Sequence, residues 1–158
     1  MTKSAFSKIK SFFERKENEK VGIIACNIIN DIEYKKQYAN VKTQKTVDFI
    51  ACGAAIRKKV YMDVGGFNEK LFIYGEETDF SYRCIAKGYT IVYIPNILVA
   101  HPPSKSPIID SFLIGARNKI WVDYTFLPYS LFVCSFLKDL VLNSYKSIRS
   151  MGCGTELI

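Results

Sequence analysis

The sequence predicts an α/β fold with a mixed sheet and a helix-rich C-terminal end. Three observations carry the prediction. Apolar runs such as VGIIACNII (21–29) have the length and β-branched content of strands buried on both faces. Between the runs lie helical patterns closed by glycine. After residue 105 the pattern turns helical, and Pro128 divides it into two segments.

The elements follow in order. MTKSAFSKIKSFFERKENEK (1–20) has no signal-peptide apolar block and reads as an amphipathic helix, with Phe6, Ile9, Phe12 and Phe13 near helical spacing. VGIIACNII is the first strand, and the lysine-bearing stretch 30–45 is a polar loop. TVDFIACGAAI (46–56) reads as a second strand, with Gly53 admitting a close neighbour. RKKVYMDVGGF (57–67) is a short helix, and Gly65 or Gly66 can take the left-handed cap. EETDFSYRCIAKG (76–88) is a helix, YTIVYIP (89–95) a strand, and ILVAHPP (97–103) an extended piece ended by two prolines. Two helices, 106–127 and 129–150, precede a short tail.

The 158 residues are about one domain's length, and 49% are hydrophobic, enough to bury a core. The formal charge of +7 suits an anionic partner: a phosphorylated ligand, a membrane surface or nucleic acid. Nucleic acid has only charge in its favour, since no RRM, zinc or helix-turn-helix signature is present. Five cysteines with no CxxC spacing read as reduced thiols, mostly in the core of a cytosolic protein. The segment 126–142 is too short and too interrupted to span a membrane, but it suits a position flat on the inner face of the cell membrane.

Chemistry concentrates in KLFIYGEETDF (70–80). Glu76, Glu77 and Asp79 place three carboxylates in one helical turn. Acids there favour the helix dipole by roughly 0.3–1 kcal/mol each. Asp79 and Arg83 also have the i, i+4 spacing of a surface ion pair. Alternatively, one acid is a general base, kept ionised by the helix start. His101, the single histidine, ends an apolar strand, where α/β proteins place ligand groups; a structural role is the competing reading. Asp31 and Glu33 form a D-x-E pair after an apolar strand, a pattern that can hold a divalent cation bound to phosphates, but the flanking lysine-rich loop favours a solvated face. Lys35–Lys36 and Arg57–Lys59 are basic clusters that also read as solvated faces. No GxGxxG or Walker pattern occurs.

These pieces, in this order, resemble the C-terminal half of a family 2-type glycosyltransferase with the GT-A fold, rhamnosyltransferase-like. The resembling stretch runs from Val47 to Asn118: an apolar strand with a small-residue turn, GGFNE, FIYGEETD, RCIAKGY, then a strand ending in His, and the Arg-Asn pair of ARNKIW. The resemblance implies a partial GT-A domain over 1–125, an amphipathic helix over 126–150 and a tail over 151–158. It implies inverting transfer from a nucleotide-sugar donor to a glycan or lipid-linked acceptor, with Glu77 as general base supported by Glu76 and Asp79. Family members usually carry Asp at that position. Glu moves the carboxylate by about 1 Å, a displacement that can lower rates roughly 10²-fold. Gly65, Gly66 and Phe67 match the acceptor-binding segment, and His101 the metal-contacting histidine. A divalent cation (Mn or Mg) is expected only in a complete assembly. The family's N-terminal nucleotide-binding half and its Asp-x-Asp motif have no match here. The expectation is a truncated or split form with little activity alone, and a partner chain supplying the other half. The rival reading is a non-catalytic, membrane- or partner-binding remnant. Absent strands would leave an apolar sheet edge at 21–29 or 46–56, and hence an aggregating monomer or an oligomer.

Overall fold

The computed structural model describes residues 3–29, 42–101 and 111–152. It divides into two compact units, Met1–Gly115 and Ala116–Ile158. Asp31, Glu33, Lys35 and Lys36 lie outside the described residues.

The first unit is built on a four-stranded mixed sheet in the order β2-β4-β1-β3. β1 (Val21–Ile29) and β4 (Thr90–Ala100) are parallel; β2 (Gln44–Thr46) is antiparallel to β4 and β3 (Ala54–Ile56) to β1. Successive β1 side chains point to opposite faces. Ile24 and Cys26 pack in the same cluster as Ala5 and Ile9 of α1 (Lys3–Glu14). Ile23 and Ala25 join Val60 of α2 (Lys58–Val64) and Phe80 and Cys84 of α3 (Glu76–Ala86). Helices thus cover both faces of β1, which is why its sequence is apolar throughout. Arg57 fastens α1 to the sheet. Its guanidinium donates to the carbonyls of Val21 (2.7 Å), Phe13 (2.6 Å) and Asn18 (3.1 Å), and lies 4.3 Å from the Phe13 ring centre.

Three expectations need correction. Residues 46–56 are not one strand: β2 and β3 lie on opposite edges of the sheet, joined by a crossing that includes a 3-10 turn at Ala51–Gly53. Thr46 breaks the ladder, since its hydroxyl donates to the Asp48 carbonyl (3.2 Å) in a local turn that competes with strand pairing. Within the crossing, Phe49 is buried while Val47 and Ile50 stay exposed. A Cβ on Gly53 would collide with Ile28, so the close approach expected at this glycine is real.

Rather than two pieces at 89–95 and 97–103, residues 90–100 form one strand, β4. Its register slips between Cys26–Ile94 and Asn27–Leu98, so Pro95, Asn96 and Ile97 bulge. Proline has no amide for the ladder, and the buried Asn27 side chain donates to its carbonyl (3.4 Å).

Of the two places expected for an open apolar edge, 21–29 is interior as β1, whereas 46–56 contains the edge strand β3. Among the described residues the sheet ends in β2 and β3, three residues each, and short edge strands limit pairing with other chains.

α4 (Ser111–Phe126) runs across the boundary between the units, and α5 (Tyr129–Gly152) belongs to the second. The break falls at Pro128 as expected. Lys119 holds the two helices together, 2.6 Å from Asp123 and 2.7 Å from Asp139, while Ser135 donates to Asp123 (2.6 Å). No helix among the described residues is long and apolar enough to cross a membrane.

Candidate functional site

The acidic turn follows a stretch with three left-handed backbone positions. Phe72 (φ 60°), Tyr74 (φ 65°) and Gly75 (φ 96°) lead into α3, and positive φ at two aromatic residues is uncommon. Leu71, fully buried, anchors this run to the core. The three acids at the helix start differ in burial and in partners, with Glu76 and Glu77 in mutual contact.

Asp79 is buried. Its Oδ2 accepts from Arg83 Nε (2.8 Å) and Nη2 (2.5 Å), while Arg83 Nη1 donates to the Val64 carbonyl (2.9 Å). The pair expected at the surface therefore has its carboxylate buried and its guanidinium partly exposed, and it ties α3 to α2. Glu76 has a buried Oε2 without a hydrogen-bond partner. Burial raises its carboxyl above the ordinary range, its own backbone amide opposes this, and the neighbouring Glu77 raises it further. Glu77 is partly exposed, and its Oε1 accepts from the Ala51 amide (3.2 Å).

A residue that the sequence reading missed joins them. Asp48 accepts from the hydroxyls of Thr78 (3.0 Å) and Ser81 (3.3 Å) and from the Phe49 amide (2.8 Å). The crossing segment and the first turns of α3 are thereby laced together. The Phe49 ring completes the seam edge-on to Phe80 (6.3 Å).

The glycine pair performs the capping expected of it. Gly65 (φ 90°) closes α2, its amide donating to Met62, and Gly66 (φ 73°) follows, with the Tyr61 ring against it. Phe67 packs on Tyr61 (5.8 Å) and Phe80 (5.0 Å). His101 follows β4, is exposed, and donates its amide to the Ile29 carbonyl (3.1 Å). Both Glu77 and His101 lie toward the C-terminal ends of the parallel strands. Glu77 arrives there through Ala51, two residues before the glycine that abuts Ile28 of β1. Ligands of α/β sheets bind at that end.

Among the described residues no three His, Cys, Asp or Glu side chains, His101 included, come together as a metal site. Of the described cysteines, Cys26 and Cys84 are buried, and burial pushes each thiol up to about 11; Cys52 and Cys134 are exposed.

Residues 4–140 match the family model for glycosyl transferase family group 2. The chain belongs to that family. No curated protein matches it significantly. As a family 2 glycosyltransferase chain, it has a mixed α/β sheet consistent with a partial GT-A domain, and the family implies a nucleotide-sugar donor and an acceptor.

Proposed function

We propose that this glycosyltransferase chain supplies the acceptor side and the general base of an inverting sugar transfer. Glu77 takes the proton of the acceptor hydroxyl as that oxygen bonds to the anomeric carbon of the donor. The bond from that carbon to the diphosphate breaks, and the nucleoside diphosphate leaves with its electron pair. The observation that carries the assignment is the difference among the three acids. Asp79 is engaged by Arg83, and Glu76 is biased toward its protonated form. Glu77 combines partial exposure with a backbone donor that fixes its carboxylate.

Gly65, Gly66 and Phe67 shape the acceptor side through the α2 cap and the aromatic cluster beneath it. The donor's nucleotide is held by a half outside these residues, provided by another segment or a partner chain. A divalent cation at His101 needs its remaining ligands from that same half. The acceptor is a glycan or a lipid-linked sugar, met at the cytoplasmic face of the membrane.

The test is a transfer assay with and without a nucleotide-binding half. Transfer should require both parts, and Glu77→Gln should lower it by roughly 10²-fold or more. Full-rate transfer by Glu77→Gln removes the base assignment.

A second reading, non-catalytic binding to a membrane or partner, is favoured by the apolar surface of α5, where Leu131, Leu137, Leu140 and Val141 are each more than half exposed. Co-sedimentation with liposomes that depends on anionic lipid and falls with salt supports it; no co-sedimentation counts against it.

A further inference from the structure

We infer that Asp48 is a positioning residue for Glu77, an inference that rests on reading Glu77 as the base. Asp48 and Glu77 bond to different partners and are coupled through two shared elements. Asp48 holds α3 by Thr78 and Ser81, the residues one and four places beyond Glu77. It also holds its own strand crossing by the Phe49 amide, two residues before the Ala51 amide that Glu77 accepts from. The carboxylate thus fixes both ends of the Ala51–Glu77 hydrogen bond: the helix that carries the acceptor oxygen and the backbone that carries the donor.

The chemistry favours this residue type. A carboxylate accepts several hydrogen bonds at once without needing a donor of its own. Here Oδ1 takes the Phe49 amide and the Ser81 hydroxyl, and Oδ2 takes the Thr78 hydroxyl. Ser81 is fully buried, so removing Asp48 takes away the acceptor of its hydroxyl. Val47, Asp48 and Ile50 are all exposed, so apolar packing holds the crossing mainly at Phe49. Removing Asp48 leaves that segment free to shift against α3. A shift near 1 Å at a general base lowers rate far more than substrate binding.

The test follows amide resonances of the isotope-labelled chain through a pH titration. The Ala51 amide should move with the ionisation of Glu77, and Glu77→Gln should abolish that movement. In Asp48→Ala the Ala51 movement should fall by about half or more, with roughly tenfold faster exchange of that amide. Asp48→Asn, which keeps an acceptor for Phe49 and Ser81, should restore most of it. The double variant Thr78→Val/Ser81→Ala keeps Asp48 and should reproduce the loss, which covers the case in which Asp48→Ala does not fold. In a transferring assembly, Asp48→Ala should lower kcat roughly tenfold with KM within about twofold. An unchanged Ala51 titration in both Asp48→Ala and the double variant overturns the inference, as does failure of Asp48→Asn to restore it. If Glu77→Gln transfers at full rate while Asp48→Ala still weakens the Ala51 titration, the base reading has failed and the coupling stands.

Discussion

Replacing Arg57 by alanine tests how the first helix is held. The guanidinium donates to three carbonyls, those of Val21, Phe13 and Asn18, and lies over the Phe13 ring. The Val21 residue is buried, so its carbonyl loses a charged donor and gains little water, a loss of about 1–3 kcal/mol. Phe13 and Asn18 are partly exposed and recover water, so each loses about 0.5 kcal/mol. The ring contact adds about 0.5–1 kcal/mol. The sum is about 2.5–5 kcal/mol, which for a chain of this size lowers the melting temperature by roughly 5–20 °C. Urea denaturation followed by far-UV circular dichroism measures it, and amide exchange should show α1 losing protection first. Lysine keeps the charge without the fork and should lose about half as much. A loss below about 1 kcal/mol in Arg57→Ala would refute the claim that this side chain fastens α1 to the sheet.

Other perturbations have equally definite outcomes. Burial raises the Glu76 carboxyl above its ordinary value, so the folded chain binds its proton more tightly than the unfolded one and loses stability as pH rises through that range. Glu76→Gln should therefore raise the melting temperature at neutral pH, with the gain vanishing below about pH 4, where both states are protonated; an unchanged gain at low pH contradicts this. In a Cys153→Ser background, Cys52 and Cys134 should react with a thiol reagent in the native state, while Cys26 and Cys84 react only on unfolding. Lys119→Met leaves Asp123 and Asp139 without their shared cation and should destabilise the helical hairpin by about 1 kcal/mol, less at high salt because Lys119 is half exposed.

The sequence made some of this architecture legible because certain physical signals are local. VGIIACNII reads as a two-faced strand since every position needs an apolar partner, and β1 is covered on both sides. Gly65 reads as a helix cap because only a left-handed backbone uses glycine there, and its φ is 90°. The segment 46–56 misled because its apolar letters are strand-like, whereas Thr46 and Asp48 make local hydrogen bonds whose effect no periodicity reveals. Pro95 looked like the end of a strand and is instead the bulge that lets β4 continue.

At the site, the acidic turn was visible as a cluster, and the Asp79–Arg83 pair as an i, i+4 spacing. Its burial was not visible, because that depends on α2 coming to lie beside α3 through Val64. Asp48 was invisible for a similar reason. Its partners lie 30 and 33 residues away, and nothing in a single aspartate before a phenylalanine announces two hydroxyls on a later helix.

The most direct measurement is the pH dependence of kcat/KM for sugar transfer by the complete assembly, wild type against Glu77→Gln. The account predicts that wild-type transfer falls on the acid side through one carboxylate ionisation, and that Glu77→Gln is slower by roughly 10²-fold or more and loses that limb. An acid limb and a rate that survive the substitution would mean that the proton goes elsewhere.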